Sequence, residues 1–518
     1  MNARAMTRRS LLLAGAGALA GGLVRPRGVL AWNPREPSLS ERSLGSVGAD
    51  PVTVSLAGVA DLAGVGWRGS AKADVELRFR GSGGRWSEWV SAGSHGHAPE
   101  VGPREGDRHV GDPIWTGGTS VLQVRASPSL SAASLHLIDV SGGIGAAREA
   151  RLADAFAATA PLALAEPRLQ AGPGQPPIIA REGWAKGVSP PRVAPEYGAV
   201  EMAFVHHTEN PNGYLAGEVP AMLRAIYIFH RYVRGWNDIG YNFVVDLYGR
   251  IFEARAGGID QPVVGAQAGG YNLASTGVAV LGSFMSTPIS PQARTALENL
   301  LAWKLSLHGV SSSGRATVKV NPAGAIYSRF PANARVSLPR IAGHRDADST
   351  DCPGNTLYGQ LPGVRAAVGR LAPRPLRVTL QPAIASAQGA TSTWTPVPEP
   401  PAAPVPAGLL LTGTVRYLDG APIAGAAVLV QARLVSRRGE SVTEQTLGQA
   451  VTDAEGVWSL AVTPGPASAK GVSLRALCLA TAGRGASVSE AVHLAYTVSL
   501  SSPQAPSPTP PAGAPPAT

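Results

Sequence analysis

The 518-residue chain carries 45 lysines and arginines against 35 acids, a formal charge of +10, yet only 15% of its residues are charged, and 62 glycines and 45 prolines interrupt it throughout. Such a length excludes a single core and points to about three domains, while the glycine and proline content favours turns, short strands and linkers over long helices. The basic residues are scattered and lack interleaved aromatics, which excludes a nucleic-acid-binding arm and leaves no nucleic acid among the expected partners.

Residues 1–31 hold Arg4, Arg8, Arg9, Arg25 and Arg27 and no acid, so the chain from Trp32 onward carries +5. Thr7-Arg-Arg-Ser-Leu-Leu12 leads into an apolar run from Leu11 to Leu23, and Val29-Leu-Ala31 supplies a small-residue cleavage site. This is the pattern of an export signal, and its paired arginines resemble the twin-arginine type. The apolar run is shorter than the roughly 20 residues that span a bilayer. The expectation is a secreted protein, extracellular or associated with the cell wall, with no transmembrane anchor after signal cleavage.

Between residues 50 and 142 the pattern has a period of two. Val75, Leu77 and Phe79 alternate with Glu76, Arg78 and Arg80, and Val121–Val124 and Leu135–Ile138 repeat the half-buried strand signature. This predicts an N-terminal β-sandwich. Trp67, Trp86, Trp89 and Trp115 either pack its core or line a carbohydrate-binding face. Residues 143–176 read as a linker, an Ala-rich helical piece running into Ala171-Gly-Pro-Gly-Gln-Pro-Pro177.

Residues 177–372 alternate strand and helix. A strand over Val200–His206 precedes a helix over about 218–233, whose apolar face holds Val219, Met222, Ile226, Phe229 and Val233. His230 lies at the edge of that face, in a structural role or in contact with substrate. Strands follow at Tyr241–Gly249, Ile251–Glu253 and Thr276–Leu281; Ser290-Pro291 opens a helix that stops near Gly309, and a last helix covers Val364–Leu371. These elements predict a mixed β-sheet with flanking helices. Residues 373–407 are a Pro-rich linker, 408–500 a C-terminal β-sandwich that resembles prealbumin-like or carboxypeptidase-regulatory modules, and 501–518 a disordered Pro-rich tail. The fold class expected is thus multidomain, a central α/β domain between two all-β sandwich-like domains.

Only two cysteines are present, Cys352 and Cys478. Cys478 sits in the apolar run Leu474–Ala480 and reads as a small core residue. Cys352 closes the turn-rich stretch Ile341-Ala-Gly-His-Arg-Asp-Ala-Asp-Ser-Thr-Asp-Cys-Pro-Gly354, which also holds His344; imidazole nitrogen and thiolate sulfur suit zinc (Zn2+). A third ligand is available in Phe204-Val-His-His-Thr208. Strand alternation puts His206 on the face of Met202 and Phe204 and turns His207 the other way. His206, His344 and Cys352 would leave the fourth position of a tetrahedral ion open, the arrangement of a catalytic rather than a closed structural site. Asp346 and Asp351 are near enough in sequence to orient His344.

Four stretches in this order, His206-His-Thr208, Gly235-Trp-Asn-Asp-Ile-Gly-Tyr-Asn-Phe243, Gly265-Ala-Gln-Ala-Gly-Gly-Tyr-Asn272 and Gly343-His344 through Cys352-Pro-Gly354, resemble the peptidoglycan recognition protein and zinc amidase family. The resemblance covers about residues 177–371. It implies a zinc-dependent N-acetylmuramoyl-L-alanine amidase, with a zinc-bound water attacking the amide between the lactyl group of N-acetylmuramic acid and L-alanine, and peptidoglycan as the partner. By the same resemblance Tyr241 donates a hydrogen bond to the developing oxyanion or the water, and Thr350 stands beside the cleft. Where many relatives carry histidine, this chain has Gln267, so that loop is not expected to supply an ionisable group. The alternatives are a non-catalytic peptidoglycan-binding wall protein, which in this family generally lacks the cysteine ligand, and a closed structural zinc knuckle.

Overall fold

A run such as Val75–Phe79 can bury one face and wet the other only when extended, and the N-terminal region is made of such runs. The computed structural model describes residues 37–68, 73–81, 83–93, 108–140, 175–185, 190–372, 376–385, 391–393, 409–435, 442–462, 472–478, 487–489 and 492–494. The leader at 1–31, residues 143–174 of the linker and the tail at 501–518 lie outside them. The chain divides into two compact units, the first reaching residue 371 except for 169–174 and 304–311, the second containing the rest.

In the first unit, strands β1 (Ser38–Val47), β2 (Val52–Arg68), β3 (Asp74–Phe79), β4 (Val90–Ser91), β5 (Arg108–Val110), β6 (Ile114–Ser127) and β7 (Leu130–Asp139) form one seven-stranded sheet in the order β1-β7-β2-β6-β3-β4, with β5 on β2. All the pairings are antiparallel. The β2–β6 register shifts between Ser55 and Leu62, and such irregularities bend a strand. The seven strands thus pair into one continuous, bent sheet around Val54, Val65, Leu77, Leu122, Val124 and Leu135. The four tryptophans do not share a face. Trp67 and Trp115 are buried, whereas Trp86 and Trp89 are half-buried and stacked under Arg78, Arg80 and Arg125 at 4.2–5.1 Å.

The central domain is a six-stranded sheet of β8 (Ile178–Ile179), β9 (Met202–His207), β10 (Phe243–Val245), β11 (Ile251–Glu253), β12 (Ser275–Val280) and β15 (Ile341–Gly343), ordered β15-β9-β12-β10-β11-β8. Only the β10–β11 pair is antiparallel, so the sheet is mixed. Between β12 and β15, the chain forms a ribbon of β13 (Arg315–Lys319) with β14 (Arg335–Pro339), which the sequence pattern did not reveal. Helix α1 (Glu182–Ala185) is a single turn, and α2 (Val219–Ile228) runs on through a π-helical turn, Phe229–Val233. Helix α3 spans Pro291–Leu307. Helix α4 starts at Asn355, directly after the metal-loop turn, and reaches Leu371. The start expected at Val364 is wrong because Gly359, Pro362 and Gly363 read as breakers, while the helix carries Pro362 within it.

Eight of the ten residues of α2 are buried. A helix that is apolar on all sides needs cover on all sides, and α2 has it. Its Met222, Leu223 and Ile226, with Phe229 of the π-helical turn, share one core with Val244, Phe252 and Ala279 of the central domain and with Leu62, Trp115, Ile138 and Val140 of the N-terminal domain. At the junction there is no room for a side chain on Gly64: an ideal Cβ there lies 2.3 Å from the Phe229 ring.

The second unit contains two five-stranded sheets. One comprises β16 (Leu376–Val378), β17 (Gln381–Ala385), β18 (Thr391–Thr393), β19 (Leu409–Tyr417) and β22 (Val457–Val462); the other comprises β20 (Ala427–Val435), β21 (Val442–Val451), β23 (Val472–Cys478), β24 (Ser487–Val488) and β25 (Val492–Leu494). Leu411, Val415 and Trp458 of one meet Val428, Val430, Leu474 and Cys478 of the other in a common core. Strands β16, β17 and β18 correct the expected 373–407 linker. Short β-prone runs inside Pro-rich sequence become ordered by pairing along β19 or with each other.

Gly64→Ala should lower the stability of the first unit by about 1–3 kcal/mol through overpacking against Phe229, read as a lower urea midpoint with an unchanged far-UV spectrum.

Candidate metal centre

Ligands bind open α/β sheets beyond the carboxyl ends of parallel strands, and the three predicted ligands converge there. Val205 of β9 stands opposite Gly343 of β15 in a parallel pair, so the next residue of each strand, His206 and His344, emerges from the same edge. Their ring centroids are 4.6 Å apart. Cys352 is carried back to them by the turn that precedes α4. Gly354 makes that turn possible: its φ is +88° and a Cβ would strike the Phe284 carbonyl at 2.4 Å. One ligand atom from each of His206, His344 and Cys352 lies within 4.8 Å of the others, and all three residues are buried.

The donor set and its spacing fit zinc. A tetrahedral ion with bonds of about 2.05 Å to nitrogen and 2.3 Å to sulfur has an N–S edge of about 3.6 Å, and His206 Nδ1 lies 3.6 Å from Cys352 Sγ. The remaining ring nitrogens are held by other groups. His206 Nε2 is 2.6 Å from Gln267 Oε1, and His344 Nε2 is 2.9 Å from Asp348 Oδ2. Both contacts fix the ring so that Nδ1 faces the centre, the usual role of outer partners in metal sites. The expectation that Asp346 or Asp351 orients His344 is corrected. Asp346 instead accepts the Gly343 N–H and the Tyr358 hydroxyl, and the Asp351 carbonyl closes the turn by accepting from Gly354 N. The short 3-10 turn at His344–Asp346 points Asp346 back at the strand and brings Asp348 under the ring.

Gln267 supplies no ionisable group, yet it orients the His206 ring without charge. Its Nε2 donates to Ser275 Oγ, and its backbone N–H and that of Ala268 donate to Asn272 Oδ1. Two residues on, Gly269 N donates to the same Asp348 oxygen that holds His344. The 265–272 loop thus orients both imidazoles. The sequence marks Gln267 only as a departure from the histidine of many relatives; the one hint of its positioning role is the Gly-rich loop ending in Asn272.

His207 points away from His206, as alternation requires. Its Nε2 lies 2.7 Å from Glu209 Oε1 and its Nδ1 accepts the Phe284 N–H, while its backbone N–H donates to Cys352 Sγ at 3.4 Å. Thr350 uses its hydroxyl to accept the Cys352 N–H, which makes it a support of the ligand loop. Tyr241 packs on His206 with ring centroids 5.4 Å apart and is almost fully buried. His230 accepts the Gly240 N–H through Nδ1, stacks on Trp236 and meets the Tyr241 ring edge-on at 5.9 Å.

Burial dominates the electrostatics. It holds His206 well below the usual imidazole range, reinforced by His344, so this ligand is neutral. It pushes Cys352 up, with Glu209 and Asp112 adding to the shift and the His207 N–H opposing it. It also raises the Tyr241 phenol, with Asp112 and Cys352 contributing, so the phenol is a hydrogen-bond donor at neutral pH.

An α/β domain with a His-His-Cys cluster at the carboxyl edge of its parallel strands defines the class. Comparison with known proteins names it. Residues 196–355 match the N-acetylmuramoyl-L-alanine amidase family, and residues 34–159 match the family described as Rv3811 N-terminal galactose-binding domain-like. Through its central domain the chain is similar to peptidoglycan recognition proteins and N-acetylmuramoyl-L-alanine amidases. It is 28% identical over 185 residues to peptidoglycan-recognition protein LB of Drosophila melanogaster, a match covering 36% of this chain and 67% of the relative. It is 29% identical over 213 residues to the N-acetylmuramoyl-L-alanine amidase of Homo sapiens, covering 39% of this chain and 31% of that one. The solved structure of wild-type Drosophila protein LB aligns with a TM-score of 0.27 at 27% identity, over 36% of this chain and 91% of that one.

Gln267→Leu should weaken binding of a divalent ion such as zinc by about 10- to 100-fold while the fold is retained, as measured by competition with a chromogenic chelator.

Proposed function

We propose that the protein is a zinc-dependent N-acetylmuramoyl-L-alanine amidase that releases stem peptides from peptidoglycan. The observation that carries this reading is the buried cluster of His206, His344 and Cys352, beside the neutral phenol of Tyr241. Three protein ligands leave one coordination position for water or substrate. When bound, zinc would supply a Lewis acid that polarises the scissile carbonyl and activates water at neutral pH. Gln267 and Asp348 hold the two imidazoles in the ligating tautomer. The His207 N–H gives the cysteine sulfur a hydrogen bond. Thr350 fixes the cysteine backbone. Tyr241 donates a hydrogen bond to the oxyanion that develops as the amide carbonyl is attacked, where a donor placed in a dry site has its largest effect. The names of the Drosophila and human relatives supply the substrate class, peptidoglycan and the N-acetylmuramoyl-L-alanine amide bond. Export through the twin-arginine-type leader would deliver the enzyme to that substrate. Among the described residues no helix is long and apolar enough to cross a membrane.

Digestion of purified peptidoglycan by the full chain, with chelator and zinc add-back, should release stem peptides with a free L-alanine amino group only in the presence of metal. Cys352→Ser should lose zinc and cleavage together. Wall sedimentation without cleavage by the zinc-loaded parent would identify a binding protein instead.

Zinc affinity should follow pH in a stated direction. The Cys352 thiol is raised and must give up its proton to ligate, whereas His206 is already neutral. Lowering the pH therefore opposes binding, and the apparent affinity should rise about tenfold per pH unit while the thiol is protonated. A flat profile in chelator competition between mildly acidic and neutral pH would contradict the cysteine ligand.

A further inference from the structure

The stretch of the N-terminal domain from the end of β5 into β6 meets the central domain at two points, Arg234 and Asn210. Gly111 fits there because it lacks a side chain; a Cβ would meet the Ala92 carbonyl at 1.8 Å. Next to it, Asp112 pairs with Arg234, the two side chains being only 10% and 6% exposed, and Arg234 also donates to the Gly111 carbonyl at 3.1 Å. The Arg234 guanidinium lies 5.1 Å over the Trp236 ring, Trp236 stacks on His230 at 4.5 Å, and His230 packs edge-on against Tyr241. Three residues further along, Trp115 N donates to Asn210 Oδ1 at 2.5 Å. Asn210 donates in turn to Thr208 Oγ1, and Thr208 exchanges hydrogen bonds with Gly282 beyond the end of the β9–β12 ladder. This second line of contacts fixes the chain just after His206.

We propose that the Gly111–Thr116 edge is a working part of the amidase centre, with Asp112 positioning Tyr241 through Arg234, Trp236 and His230, and Trp115 positioning His206 through Asn210 and Thr208. The N-terminal domain is then a component of the catalytic unit. The shared core around α2 supplies the rigidity that such positioning needs, because packed interiors transmit displacement. Asp112 is also among the charges that raise Tyr241 and Cys352, after burial. A chain of contacts is not in itself coupling, so the test must separate position from stability.

The proposal rests on the amidase reading for its kinetic arm only. In the full-length zinc-loaded chain, Asp112→Ala should lower kcat on a muropeptide amide by about tenfold or more with little change in KM. The double variant Asp112→Leu/Arg234→Met replaces a buried ion pair by apolar groups, an exchange that often preserves stability. It should recover the parent melting temperature and not the parent kcat. Asn210→Ala should weaken zinc binding about tenfold. Parent-like kcat in the double variant, or parent-like zinc affinity in Asn210→Ala, would overturn the corresponding half. If the parent cleaves nothing, the amidase reading fails while zinc affinity still decides the Asn210 half. The Asp112 half is then decided by the ring resonances of Tyr241 in 13C-tyrosine-labelled chain, assigned with Tyr241→Phe. They should shift in Asp112→Asn, and unshifted resonances would overturn it.

Discussion

The parallel pairing of Met202–His207 with Ile341–Gly343 is the constraint on which the site depends. It joins two segments far apart in sequence in a register that leaves His206 and His344 side by side at one sheet edge. A slip of one residue would turn each ligand to the opposite face, since strand side chains alternate. The apolar faces of both strands prevent it: Met202, Phe204 and Ala342 are locked in a core with Tyr271, Val318 and Leu338. Register and the geometry of the His-His-Cys cluster therefore have the same cause.

Around this edge the chain supplies positioning largely without net charge. Gln267, the His207 and Gly269 N–H groups and the Thr350 hydroxyl do most of the holding. This follows from burial. Ionised groups in a dry pocket pay a large desolvation penalty, and the site limits that by keeping His206 and Tyr241 neutral. Asp348 is the exception in type. Its carboxyl is itself pushed well above the usual range by burial, eased by the Gly269 N–H.

The candidate ligands were legible because their chemistry is scarce: one cysteine in a turn-rich loop, a histidine eight positions before it, and a histidine pair ending an apolar strand. Alternation alone separated His206 from His207. Their supports were not legible. Asp346, Asp348 and Asp351 are equivalent in a sequence, and only the turn after β15 decides which of them faces the imidazole. Gln267 looked inert because its contribution is directional rather than ionic. The start of α4 was hidden by glycine and proline that the helix accommodates. Asp112 and Trp115 lie in a different domain, and no local pattern announces a contact that distant. The N-terminal strands could be read from their alternation, whereas the bends that keep them in one sheet come from register shifts that propensity does not encode.

The core shared across α2 has a consequence for biosynthesis. The N-terminal strands are completed at Asp139, but the helix that covers Leu62, Trp115 and Ile138 ends only near Val233. At roughly 5–20 residues per second, the ribosome needs several seconds to add that stretch, during which the first sheet presents an uncovered apolar face. The nascent chain must cross this interval without aggregating, so its yield in the cell depends on chaperone capacity and translation speed as well as on final stability.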